Sequence, residues 1–378
     1  MSEQVVSQST VGSARLFFAD NLRTWLVVLV VLHHTSIVYA ANTSFYYLQP
    51  LKGAFPALAA VFQLLNQAYF MGLLFFLAGY FTPSSFDRKG PAQFCKDRLI
   101  RLGIPLVLFI FVLSPLSSIG TYQIPASLTH LPPLSWSQYP AMIGMGPLWF
   151  AALLLIFDGC YVLFRLVHRQ VAGQTSWAPR FWAIAGFIVA LAVVSYFMRM
   201  AIPIATYVLK FPSLAYLPQY LSFFAIGTVA SQHDWMRQVP TRYGTRGFVV
   251  ALVSIVLLFL PSISAKLGSP AAFLGRGTWQ SGLYALWDSV FSVCMSLALI
   301  VFFRRFFDHA KGFATFLQRN SFAVYVLHCP VIVAVALLLR PVALIAAPKF
   351  LLLAIIVLPV AFAVAYLIRL IPKADKVF

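Results

Sequence analysis

Long apolar runs separated by short polar connections dominate the chain. Ten stretches, at 24–41, 55–81, 99–120, 147–167, 181–203, 214–231, 247–264, 283–303, 320–340 and 343–371, are apolar enough for helices that cross ~30 Å of hydrocarbon. The pattern predicts an all-α fold, a polytopic membrane helical bundle of about ten transmembrane helices. None of the Pro-, Gly-, Arg- and Lys-rich connections is long enough for a separate soluble domain. Residues 1–378 are therefore expected to form a single transmembrane domain, with the polar start at 1–14 disordered.

Composition agrees with that solvent: 61% hydrophobic residues, 10% charged residues and a mean hydropathy of +0.87 do not suit a water-soluble domain. The net charge of +18 raises the question of nucleic acid, and its distribution answers it. If the N-terminus and every second connection share one side, that side holds 20 of the 27 basic residues and the opposite side seven. Such a bias is topological. It places both termini in the cytoplasm and requires no nucleic-acid partner. Val38-Tyr39-Ala40 loosely fits a signal-peptidase site, but two histidines inside the apolar run and the 23 residues ahead of it favour a retained helix.

The residues available for chemistry are few. Cys95, Cys160, Cys294 and Cys329 form no Cys-x-x-Cys pair and imply neither a disulfide framework nor a metal site. There is no glycine-rich phosphate loop or Gly-x-Ser-x-Gly elbow, and the single glutamate is Glu3. His33 and His34, in the middle of the first apolar stretch, stand out because an intramembrane imidazole is costly and by default marks a working site. At about 100° per residue, His34 falls within about 20° of Arg23 around the helix, Asp20 lies about 60° from Arg23 on the same side, and His33 points about 80° the other way. With the helix starting near 24, His34 is expected about 15 Å from the cytoplasmic end. A plain alternative is that Arg23 anchors the helix and the histidines bond a neighbouring carbonyl.

Three further groups qualify. Arg98 and Arg101, three apart at the mouth of the third stretch, suit a phosphate or carboxylate, although positive-inside anchoring explains them equally. Ser321, Tyr325 and His328 share a stripe at the start of the ninth stretch, with His328 expected about 10 Å from the inner surface. Asp158 and Asp288 are acids within apolar runs, able to orient a histidine or pair with an arginine, and Gln63, Asn66 and Gln67 can hold helices together.

Taken together, Asp20-x-Leu-Arg23 with His34, Phe75-Phe76-x-x-Gly79-Tyr80, Arg98-x-x-Arg101-x-x-x-Pro105, Leu148-Trp149-Phe150, Phe224-x-x-Gly227 and Ser321-x-x-x-Tyr325-x-x-His328 resemble the acyltransferase-3 family of integral-membrane acyltransferases. The resemblance spans most of the chain, and its wording is nearest to the glucan succinyltransferase branch. It implies transfer of an acyl group, acetyl or succinyl, from cytosolic acyl-CoA to a hydroxyl of a carbohydrate or glycan acceptor. The setting it implies is a bacterial inner membrane, with no metal. His34 matches the family's essential histidine and is expected to be the general base. Arg98 and Arg101 match its donor-handling motif, with Asp20, Arg23, Tyr325, His328 and Trp149 as further binding residues. The short end after Ile371 is expected to leave no room for the fused hydrolase-like domain of some members. A transporter or flippase for an envelope glycan or lipid precursor is the rival reading, since midplane histidines and arginines also line substrate pathways. A membrane scaffold is the third.

Overall fold

A computed structural model describes residues 15–123, 135–168, 177–208, 211, 214–263, 269–309 and 312–378. The expectation of disorder at 1–14 lies outside them, as do the basic residues Arg169, Lys210, Lys266 and Lys311. Each expected stretch is a helix: α1 Phe17–Ala40, α2 Phe55–Lys89, α3 Pro91–Gln123, α4 Trp149–Val167, α5 Phe181–Ala201, α6 Leu217–Gln232, α7 Thr241–Ile263, α8 Trp279–Phe306, α9 Gly312–Leu338 and α10 Ala346–Arg369. Among the described residues eight helices are long and apolar enough to cross a membrane; α6 and α7 are the other two. At 16 residues α6 spans about 24 Å, short of the hydrocarbon thickness.

Five helices, α1, α3, α7, α8 and α9, start earlier than hydropathy indicates, and the corrections to α1 and α9 move the site. The first two turns of α1 are polar on one side only: Phe18, Ala19 and Leu22 are buried, while Asn21 donates to the carbonyls of Phe307 and His309. Asp308 accepts from the Phe18 amide and satisfies one of the otherwise unpaired donors at the helix start. Likewise α9 begins at Gly312, eight residues before the expected boundary.

Helix α3 is built around its prolines. Pro105 and Pro115 have no N–H to donate and crowd the carbonyl four residues back. In front of each the helix widens into a π turn, 99–103 and 109–113, in which Ile104 and Ser114 bond the carbonyls five residues back, of Leu99 and Phe109. The helix therefore passes through Pro105 rather than starting there, and Arg101 sits on the widened turn.

Glycines set the closest helix contact. A Cβ on Gly79 of α2 would collide with the Phe224 carbonyl of α6, and one on Gly227 with the Phe76 carbonyl. The two helices thus meet backbone to backbone, which accounts physically for both glycine motifs.

The connections sort onto two ends of the bundle. The start of α1, the α8–α9 connection and the end of α10 share one end: Arg15 donates to Gln318, and Arg369 to the carbonyl of Arg319. Arg304 joins them by capping the carbonyls of Met236, Arg237 and Val239. At the opposite end Ser44 meets Tyr207, Gln49 reaches the Arg340 carbonyl, and Thr121 donates to that of Tyr46.

Candidate active site

The expected site residues form two clusters, one at each end of the bundle. His34, Tyr325 and Trp149 line a cavity of about 870 Å³, within the range of small-molecule sites. Its walls also include His33, Gln67 and Phe70, and its mouth is built from Thr43 to Tyr46, Gly144 to Pro147, Ile204, Ala205 and Tyr207, and Ala215 with Tyr216. These segments belong to the end opposite both termini. His34 is 17 residues into α1, about 26 Å from its start, and six residues, about 9 Å, from Ala40. It is therefore deeper than the expected 15 Å. His328 is about 24 Å from the start of α9 instead of 10 Å, for the same reason.

Hydrogen bonds fix the state of the ring. His34 Nδ1 is 2.8 Å from the carbonyl oxygen of Val30 one turn back. A carbonyl can only accept, so Nδ1 carries the proton and Nε2 keeps its lone pair. Thus the simple carbonyl bond and the working site coexist: that bond selects the tautomer a base needs. His328 follows the same logic, with Nδ1 2.7 Å from the Tyr325 carbonyl and Nε2 3.5 Å from Cys329 Sγ. It is fully buried, its ring centroid 5.0 Å from that of His34, so it packs behind the working ring. Tyr325 donates to the Pro147 carbonyl, which pins the loop leading into Trp149. Trp149 packs on Phe75 and Tyr220, at centroid distances of 6.4 and 5.3 Å, and those two rings touch each other at 5.1 Å. In the mouth, burial pushes the Tyr46 hydroxyl well above the usual phenol range, keeping it a neutral donor or acceptor beside Ser114.

Asp20, Arg23, Arg98 and Arg101 do not reach this cavity. They gather near the other end, where Asp20 accepts from Arg15 at 2.9 Å and Arg23 at 3.4 Å. Arg98 and Arg101 lie near enough to Arg23 for mutual repulsion. Arg98 has a partner within the chain: Asp158 at 3.1 Å, with Thr82 bonding both. Arg101 is exposed. Between Arg23 and His34 run eleven residues of α1, about 16 Å.

Sequence reasoning missed Arg199. One of the seven basic residues that the charge bias assigns to the outer side, it is fully buried, 2.6 Å from Asp288 and flanked by Tyr216 and Tyr284 with ring centroids at 4.7 and 5.1 Å. The signal was an arginine inside the apolar run of α5 with an acid, Asp288, inside another. Lys349, placed on the same outer side, is also buried and donates to the Arg340 carbonyl. Both intramembrane acids are thus in ion pairs. Gln63 donates to Ser36 and Gln67 to the Tyr220 hydroxyl of α6, both as helix glue, and Gln67 also lines the cavity.

Glucans biosynthesis protein C of Salmonella paratyphi B is 23% identical over 346 residues, covering 85% of this chain and 83% of that protein. The protein of the same name from Escherichia coli O139:H28 is 22% identical over 336 residues, with the same coverage. A family model described as an acyltransferase domain matches residues 16–370. The chain belongs to the acyltransferase-3 family and is a multi-pass membrane acyltransferase that transfers groups other than aminoacyl groups.

Proposed function

We propose that the protein moves an acetyl or succinyl group from cytosolic acyl-CoA to a hydroxyl of a carbohydrate or glycan at or beyond a bacterial inner membrane. The observation that carries this reading is the 2.8 Å contact of His34 Nδ1 with the Val30 carbonyl, which leaves Nε2 as the lone-pair nitrogen of an imidazole on the wall of a cavity lined by connections at the end opposite the arginine cluster. A hydroxyl entering from the loop end meets a base, and an anionic donor arriving at the other end meets Arg23, Arg98 and Arg101. With both termini cytoplasmic, the arginine end faces the donor pool. The exposed Arg101 and half-exposed Arg23 receive the CoA phosphates while Asp158 and Thr82 hold Arg98 in position. Arginine is suited to this task by its planar fork of donors. The donor's long pantetheine arm then covers the roughly 16 Å from Arg23 to the depth of His34.

At the cavity His34 Nε2 takes the acceptor hydroxyl proton as the oxygen bonds to the thioester carbonyl carbon. The tetrahedral adduct expels the CoA thiolate, which leaves with that proton. A positioned base of this kind contributes ~10²–10⁴-fold. Trp149 and Tyr216 offer aromatic faces to a sugar ring, and the names of the relatives support a glucan as the acceptor. Membranes carrying the protein are expected to release free CoA thiol only when both acyl-CoA and a glucan acceptor are present. Thiol release that is unaffected by acceptor, or absent with acetyl- and succinyl-CoA alike, refutes the reading.

A further inference from the structure

His33, beside the proposed base, is the one cavity-lining imidazole to which the scheme so far gives no task. Its ring is T-shaped to His34 of the same helix, with centroids 5.4 Å apart, and stacked on Phe70 of α2 at 5.4 Å, so a ring of its own helix and one of a neighbouring helix hold its plane. Its Nδ1 is buried with no hydrogen-bond partner. Orphaned N–H donors are rarer in proteins than under-satisfied acceptors, and a neutral imidazole can choose which nitrogen holds its proton. Leaving the orphaned Nδ1 as the lone pair puts the proton on Nε2, the nitrogen left to meet the cavity. The adjacent rings are therefore opposite in kind: His34 offers a lone pair and His33 an N–H.

We propose that His33 is a catalytic residue of the transfer, donating from Nε2 to the carbonyl oxygen of the acyl donor as that oxygen becomes an oxyanion. The inference rests on the acyl-CoA reading above. As the acceptor oxygen bonds to the carbonyl carbon, the C=O π pair moves onto oxygen, where the His33 N–H meets it. His34 meanwhile holds the acceptor's proton. When the adduct collapses the π bond re-forms, the C–S bond breaks, and the proton leaves His34 with the CoA sulfur. His33 is neutral throughout and exchanges no proton. Its value comes from being fixed in place before charge develops, by Phe70 on one face and His34 at its edge.

Two variants and two ligands test this. His33→Ala is expected to lower kcat by about 10²–10³-fold, with KM for acyl-CoA rising by no more than the roughly 2- to 10-fold worth of one neutral hydrogen bond. His33→Gln, whose amide can place an N–H near the lost Nε2, should recover most of that loss. Binding isolates the donor from any structural role. The ligands are the ketone analogues of acetyl- and succinyl-CoA, with CH₂ replacing sulfur, and the matching alkyl-CoA thioethers, which lack the carbonyl. Wild-type protein should bind the ketones about 2- to 10-fold more tightly than the thioethers, the worth of one neutral hydrogen bond. His33→Ala should bind both equally, and at the affinity wild type has for the thioethers. A ketone preference that survives in His33→Ala, or that wild type lacks, overturns the role of His33 while leaving the donor reading intact. If wild type binds none of the four CoA compounds, the donor reading falls and this inference falls with it.

Discussion

Two arginine–aspartate pairs lie within the bundle, and they differ in one respect. Arg199 and Asp288 are 0% and 2% exposed and closed in by Tyr216 and Tyr284, whereas Arg98 is 25% exposed over an Asp158 that is 3% exposed. A sealed pair has no room to exchange partners. Taking two charges out of water is expensive, and what holds the pair together is that either charge alone would be worse. An open pair keeps its carboxylate as an anchor while part of the guanidinium still faces incoming anions. The same chemistry is thus structural where the pair is sealed and available for binding where it is open.

Substitutions can break or sharpen that contrast. The largest effect is expected from Arg199→Met, which strands Asp288 in an apolar interior. It should cost about 3–5 kcal/mol of stability, read as a much lower melting temperature in detergent, and replacing both residues with apolar ones should restore most of it. Arg98→Ala should behave differently, raising the KM for acyl-CoA by about 10- to 100-fold, the worth of a charged hydrogen bond, with a much smaller shift in melting temperature. If Arg98→Ala melts as early as Arg199→Met while its KM is unchanged, the open pair is structural too. Asp158→Asn sharpens the comparison from the other side: it removes the charged anchor that positions Arg98, so donor binding should weaken by a few-fold while stability falls. The smallest effect is expected at the exposed Arg101, where Arg101→Ala should weaken donor binding by under about 1 kcal/mol, an effect that added salt abolishes.

The sequence reveals the helices well because a bilayer demands long apolar runs, and all ten expected stretches are helical. Helix starts are less legible. The polar first turns of α1 and α9 look like connection until Asp308, Asn21 and Gln318 are seen to satisfy them across the bundle. That error alone moved His34 and His328 about 11–14 Å in depth. His34 was legible from its helix face and its motif, and Gly79 and Gly227 as glycines, though not as the two halves of one contact. The pairing of His34 with His328 was not legible, since no periodicity within a helix tells which helices are neighbours. Arg199 was misread because a lone arginine near the end of an apolar run looks like a surface anchor, and its partner is 89 positions away. The cavity mouth escaped notice because its aromatic and hydroxyl residues are scattered over three connections.

All of this converges on His34 as the base between a donor entering at the arginine end and an acceptor entering at the loop end. The most direct measurement is the rate of acceptor-dependent thiol release from acyl-CoA in membranes holding His34→Ala at wild-type level, alongside donor binding to the purified variant. The account predicts a loss of about 10²–10⁴-fold in rate with donor binding retained. Full acyl transfer by His34→Ala would contradict it.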